Sequence, residues 1–144
     1  MRDSQRQRVY DAENSVGQLF NHKFKDEEAC IAFVNEVLEN KRVRRKYAKA
    51  IDSHTIEIDF KPASWKDCGQ ADEDTIWINY AWMETKTIIH EIAHTLQFRI
   101  QGEADFADHG VTFTSVYLDL VEIMFGAFVA DRLQEAFDNH KVEY

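Results

Sequence analysis

The spacing of apolar positions changes along the chain, and each change marks an element. Ala29, Cys30, Phe33, Val34, Val37 and Leu38 recur at helical spacing, which predicts an amphipathic helix over residues 26–40. Asp26 is placed to cap its first turn and Asn40 to stop it. Over residues 54–60 the period becomes two: Ile56, Ile58 and Phe60 alternate with Glu57 and Asp59, as in a half-buried strand. Residues 75–80 repeat that alternation, with Ile76, Ile78 and Tyr80 set against Trp77 and Asn79. Between the two, residues 61–73 hold the only proline, Pro62, with Gly69 and several acids, and read as a loop. The segment up to Asn21 is polar, with anchors at Val9, Tyr10, Val16, Leu19 and Phe20, and has room for a short helix.

Helical spacing returns near Glu84 and runs through Ile100, with Ile88, Ile89, Ile92, Ala93, Leu96 and Ile100 on the buried side and Gly102 as the stop. A polar loop then reaches His109 and Gly110. Residues 111–137 are helical and strongly apolar, with Gly126 placed to bend or break them. The expected fold is α+β: a compact zincin-like domain with a small antiparallel sheet packed with helices. The 144 residues fit one domain, 1–144, long enough to bury a core without disulfides.

Composition narrows the function. A formal net charge of −9 sets most of the surface against a phosphate backbone and disfavours broad nucleic-acid binding. The exception is Lys41 to Lys49, which reads as the solvated end of the preceding helix, its cations complementing the macrodipole, with a nucleic-acid contact as the competing reading. Two cysteines, Cys30 and Cys68, make no disulfide framework and fit a reducing, cytoplasmic compartment. Cys30 lies on the apolar helical face and reads as a core residue. No segment has the length of a membrane span, and the N-terminus has no apolar leader.

The chemistry concentrates at His90, Glu91 and His94. Positions i and i+4 share a helical face, so two imidazoles can reach one ion, and the glutamate beside the first can reach water at that ion. Two histidines and a glutamate within an otherwise apolar helix need a reason of this kind. A catalytic zinc takes three protein ligands and leaves a fourth position open. His109, fifteen residues past His94, is the first choice for the third; Glu103, Asp105, Asp108 and Glu122 compete. His22, His54 and His140 have no partner pattern and read as surface residues. Asp108, Asp119 and Glu122 are candidate acceptors for the ligands' second ring nitrogens. Tyr117 and Tyr80 are weighed as oxyanion donors, although packing explains both. Trp77 and Trp82 could wall a cleft, and the strand at 75–80 could offer a substrate peptide its edge.

The run Ile-Ile-His-Glu-Ile-Ala-His-Thr-Leu-Gln, followed by Asp-His-Gly-Val-Thr-Phe, resembles the SprT-like zinc metallopeptidases over about residues 84–118. Over most of its length the chain is still more similar to a group of small HExxH-type metallohydrolases of actinobacteria and their phages. These share Arg2 to Arg6, Val9-Tyr10, Ala12-Glu13 and Val116-Tyr117-Leu118. The resemblance implies His90, His94 and His109 as ligands of Zn2+ and Glu91 as the catalytic residue. SprT-like proteases commonly carry a cysteine-rich zinc module; two cysteines cannot build one, which counts against a DNA-directed role. The expected activity is hydrolysis of peptide bonds in a peptide or protein substrate, with Glu91 as general base. The alternatives are a zinc hydrolase of a non-peptide amide or acyl substrate, and a non-catalytic zinc-containing binding module.

Overall fold

A computed structural model describes residue 3, residues 5–102 and residues 109–144. Its elements follow in the order α1 (Arg6–Val16), α2 (Glu27–Glu39), α3 (Lys41–Ile51), β1 (Glu57–Lys61), β2 (Gly69–Ala71), β3 (Thr75–Asn79), α4 (Thr85–Gln101), α5 (Val111–Phe125) and α6 (Ala127–Asn139). The fold is α+β.

Helix α2 forms for the reasons its sequence suggests. The Asp26 carboxylate accepts from the Ala29 amide at 2.8 Å, Glu27 and Glu28 add negative charge to the first turn, and Cys30, Val34 and Val37 share the buried face. Asn40 ends α2 and starts α3 at once, because its side chain accepts from the amides of Arg42 and Val43. The basic block is therefore not the tail of α2 but the first turns of a separate helix. There its cations oppose the macrodipole, and neighbouring acids offset them. Arg44 meets both carboxylate oxygens of Asp52, Lys46 meets Asp119 at 3.1 Å, and Arg42 lies 3.8 Å from Glu122.

The sheet is mixed rather than antiparallel. Its order is β1-β3-β2, with β1 parallel and β2 antiparallel to β3. The span read as a loop at 61–73 contains β2, whose three residues include Gly69 and are too few to show an alternation. Strand β3 is consequently the central strand and has no free edge for a peptide; β2 occupies an edge instead. Ile76 and Ile78 of β3 are fully buried.

Helix α4 is enclosed on nearly every side, with every residue from Thr87 to Gln97 buried, as expected of a central helix. Ile100, expected in the core, is 49% exposed, because the last turn emerges beyond that packing. The start of α4 is fixed by the 21–22 segment. The Thr85 amide donates to the His22 carbonyl at 2.9 Å, and the Lys86 amide to Asn21 Oδ1 at 2.9 Å. Near its end, Arg99 donates to the carbonyls of Ala50, His54 and Glu73, tying α4 to the end of α3 and to the turn before β3. No helix among the described residues is long and apolar enough to cross a membrane.

The apolar stretch at 111–137 splits into α5 and α6 at Gly126, whose φ of 99° and ψ of 166° suit glycine alone. Nothing lies within 4 Å of where a Cβ would stand. Gly126→Ala therefore tests backbone strain without a clash. It should lower stability by about 1–3 kcal/mol, read as a lower urea midpoint at unchanged slope.

Candidate metal centre

Helix α4 places His90 and His94 one turn apart, and the start of α5 brings His109 to them. Their Nε2 atoms form a near-equilateral triangle: 3.1 Å from His94 to His90, 3.1 Å from His94 to His109, and 3.2 Å from His109 to His90. All three side chains are buried. Nitrogens at ~2.0–2.1 Å from a tetrahedral zinc ion stand about 3.3–3.4 Å apart, so the triangle is close to the size such an ion needs.

The other ring nitrogens explain why these three face inward. His90 Nδ1 donates to Glu13 Oε1 at 2.5 Å, His94 Nδ1 to Gln97 Oε1 at 2.9 Å, and His109 Nδ1 to Asp3 Oδ2 at 2.6 Å. The Gln97 amide is oriented by its own donation to Gln101 Oε1 at 3.1 Å. Each acceptor selects the tautomer with its proton on Nδ1. In that tautomer three lone pairs face one another, an arrangement that could hold a metal ion. Aromatic packing fixes the ring planes. Phe113 stacks on His94 at 4.2 Å, and Tyr10 stacks on His90 at 5.2 Å with 10° between planes.

Glu91 adds a second observation. Its side chain is 5% exposed, and Oε2 is buried with no hydrogen-bond partner among the described residues. Such a group is costly unless something binds there. Gly69 of β2 lets the edge strand pass over it: a Cβ at that position would lie 3.0 Å from Glu91 Cγ and 3.1 Å from Thr87 Cγ2. His90, Glu91, His94 and His109 line a cavity of about 750 Å³, with Tyr10 and Glu13 from α1, residues 66–71 around β2, and Trp82.

Burial dominates the electrostatics. It drives His90 and His94 well below 6.5, helped by the neighbouring imidazoles. It drives Glu91 well above 4.5, helped by Glu13 and Asp67. Glu13 is pushed up to about 8 by burial, against the pull of Tyr117, Lys86 and His109. A divalent cation would reverse these acid shifts by favouring the carboxylates.

The other expected residues fall elsewhere. Glu122 pairs outward with Arg42, and Asp119 with Lys46 and Tyr47, so neither supports a ligand imidazole. Tyr117 is fully buried and does not line the cavity; Tyr80 is exposed and bonded to Glu27. Trp82 lines the cavity and Trp77 does not. His22 and His54 are exposed, His54 paired with Asp74, while His140 is half-buried at the end of α6. Glu103, Asp105 and Asp108 lie outside the described residues.

Sequence reasoning missed the acceptors Asp3, Glu13 and Gln97. Two signals were present: Glu13 falls on the buried face of α1 with Val9 and Ala12, and Gln97 follows His94 at i+3. Gln5 was missed too. Its amide donates to the His109 carbonyl at 2.5 Å and to the Glu143 carbonyl at 3.2 Å, joining both chain ends to the site.

No family model, curated protein or solved structure matches this chain.

The charge arrangement predicts a pH dependence for metal-free protein. Glu13 titrates near 4.5 unfolded and about 8 folded, so its contribution is complete below pH 4.5 and is lost as pH rises toward about 8. Glu91 acts in the same direction. His90 and His94 act oppositely, but only below 6.5, where the unfolded chain takes up protons that the folded chain refuses. Between pH 6.5 and 8 the carboxyls act alone. Urea unfolding in the presence of a chelator should show stability falling by roughly 1.4 kcal/mol per pH unit per carboxyl. Glu13→Gln should reduce the slope, and stability that rises across this window would contradict the assignment.

Proposed function

We propose that this chain is a zinc-dependent hydrolase, and specifically a metallopeptidase of zincin-like architecture. The observation that carries the reading is the unpartnered, buried Glu91 carboxylate lining the same cavity as three converging imidazole nitrogens. Three nitrogen ligands suit zinc, and a donor set with no thiolate leaves the ion acidic enough for hydrolysis. Zinc held by His90, His94 and His109 would lower the pKa of water to about 7 and polarise a carbonyl.

The chain's own residues do the rest. The Glu91 carboxylate takes a proton from the attacking water, and the same carboxyl carries it to the leaving nitrogen as the C–N bond breaks. Glu13, Gln97 and Asp3 hold the three rings so that each keeps its proton on Nδ1. Residues 69–71 favour a peptide substrate. They line the cavity and form a strand paired on one side only, so an extended chain could add to the other by main-chain hydrogen bonds. The resemblance of residues 84–118 to SprT-like metallopeptidases supports the same reading.

Turnover of a panel of peptides, proteins and small amides, with zinc content measured alongside, tests the proposal. Glu91→Gln should keep one zinc per chain and lose at least about 10³-fold in kcat, in line with removal of a general base and its charge. Undiminished turnover in that variant would refute the role of Glu91. Cleavage of small amides but not peptides would replace the substrate class and leave the chemistry standing.

A further inference from the structure

The proposed reaction places negative charge on a carbonyl oxygen, and the residues assigned so far supply no side-chain donor for it. Tyr117 and Tyr80 are out of reach, one sealed in the core and the other on the outer surface. Lys86 lines the cavity, but its Nζ is engaged with Asn14 Oδ1 at 2.7 Å. Tyr10 is placed differently. Its ring touches two of the three ligand imidazoles, stacked on His90 at 5.2 Å and tilted against His109 at 5.4 Å. It lines the cavity that Glu91 lines, and its hydroxyl oxygen accepts from the Arg6 side chain, a contact that leaves the hydroxyl proton to be donated elsewhere. The Arg6 guanidinium carbon lies 5.7 Å from the ring centroid and holds the ring from one helical turn away.

We propose that Tyr10 is a catalytic residue of this site, its hydroxyl donating a hydrogen bond to the oxygen that gains negative charge when water adds to the substrate carbonyl. The inference rests on the hydrolase reading and adds the oxyanion donor to it. Tyr10 transfers no proton. The water proton moves to Glu91 as the new C–O bond forms and charge collects on the carbonyl oxygen; the oxygen's electron pair then re-forms the C=O bond as the C–N bond breaks, and the leaving nitrogen takes the proton from Glu91. A donor carried on a ring that packs against two of the ligands is preorganised for such a role.

Cobalt-substituted protein and inorganic phosphate give a test that does not depend on turnover. Phosphate is a tetrahedral oxyanion that can offer one oxygen to the metal and another to a nearby donor, and the cobalt visible spectrum reports its binding. Tyr10→Phe keeps the stacked ring and removes only the hydroxyl. The variant should show the same cobalt spectrum as wild type and bind phosphate roughly 10-fold or more weakly, as loss of a hydrogen bond to a charged group implies. Tyr80→Phe should match wild type in both. With a substrate in hand, Tyr10→Phe should lower kcat by about 10²-fold and change KM little. Equal phosphate affinity in cobalt-loaded Tyr10→Phe and wild type would overturn the Tyr10 assignment and leave the metal site intact. Loss of the cobalt spectrum in Tyr10→Phe would make the residue structural and overturn it as well. Absence of any cobalt spectrum in wild type would refute the metal-dependent reading itself, and the Tyr10 proposal with it.

Discussion

Three imidazole nitrogens directed at one point form the constraint on which the rest of the structure depends. Left alone, their lone pairs would repel, and each ring would turn or take up a proton. They stay because an acceptor fixes the opposite edge of every ring: Glu13 for His90, Gln97 for His94 and Asp3 for His109. Only Gln97 comes from the same helix as its histidine. The other two acceptors belong to the N-terminal segment, 77 and 106 residues from their partners in sequence. The position of α1 is thus part of the site. Gln5 links its start to the His109 carbonyl and to Glu143, and Val9 and Ala12 bury the face that also carries Glu13.

This arrangement works against the stability of the empty protein. Burying Glu13, Glu91 and two imidazoles removes their ionised forms from water, and only the hydrogen bonds between them offset that cost. A divalent cation changes the balance, since it favours both the neutral imidazoles and the charged acids. Metal affinity and folding are coupled in such a design. The elements around the site are correspondingly tied down: Arg99 binds five carbonyls outside its own helix, and residues 21–22 hold the first turn of α4. Glu91 is held by close packing instead, where Gly69 allows β2 to lie against it.

The parts of this structure legible in the sequence are those governed by local spacing. Helix α2 and its Asp26 cap, strands β1 and β3, the extent of α4 and the break at Gly126 all follow from periodicity and backbone chemistry within a few residues. The histidines of α4 stood out because their polarity conflicts with the apolar residues around them. What escaped was non-local. Strand β2 is too short and too glycine-dependent to carry a period, and its insertion between β1 and β3 in sequence is what makes the sheet mixed. The basic block looked like the end of a helix because Asn40 serves both as a helix stop and as an N-cap, and a reading as a stop alone leaves out its role in starting α3 through the Arg42 and Val43 amides. Asp119 and Glu122 seemed suited to the site as acids in an apolar helix, yet the Lys and Arg residues that face them lie on α3, more than seventy residues earlier. Tyr10 and Glu13 acquire their importance only when α1, packed on α6, brings their side chains to His90.

Zinc K-edge X-ray absorption on purified protein loaded with one equivalent of zinc tests the central claim most directly, because it reads the donor atoms themselves. The account predicts a first shell of nitrogen and oxygen at ~2.0–2.1 Å with the outer-shell scattering of three imidazoles. A sulfur contribution near 2.3 Å, which would bring in Cys68, or fewer than three imidazoles would contradict it.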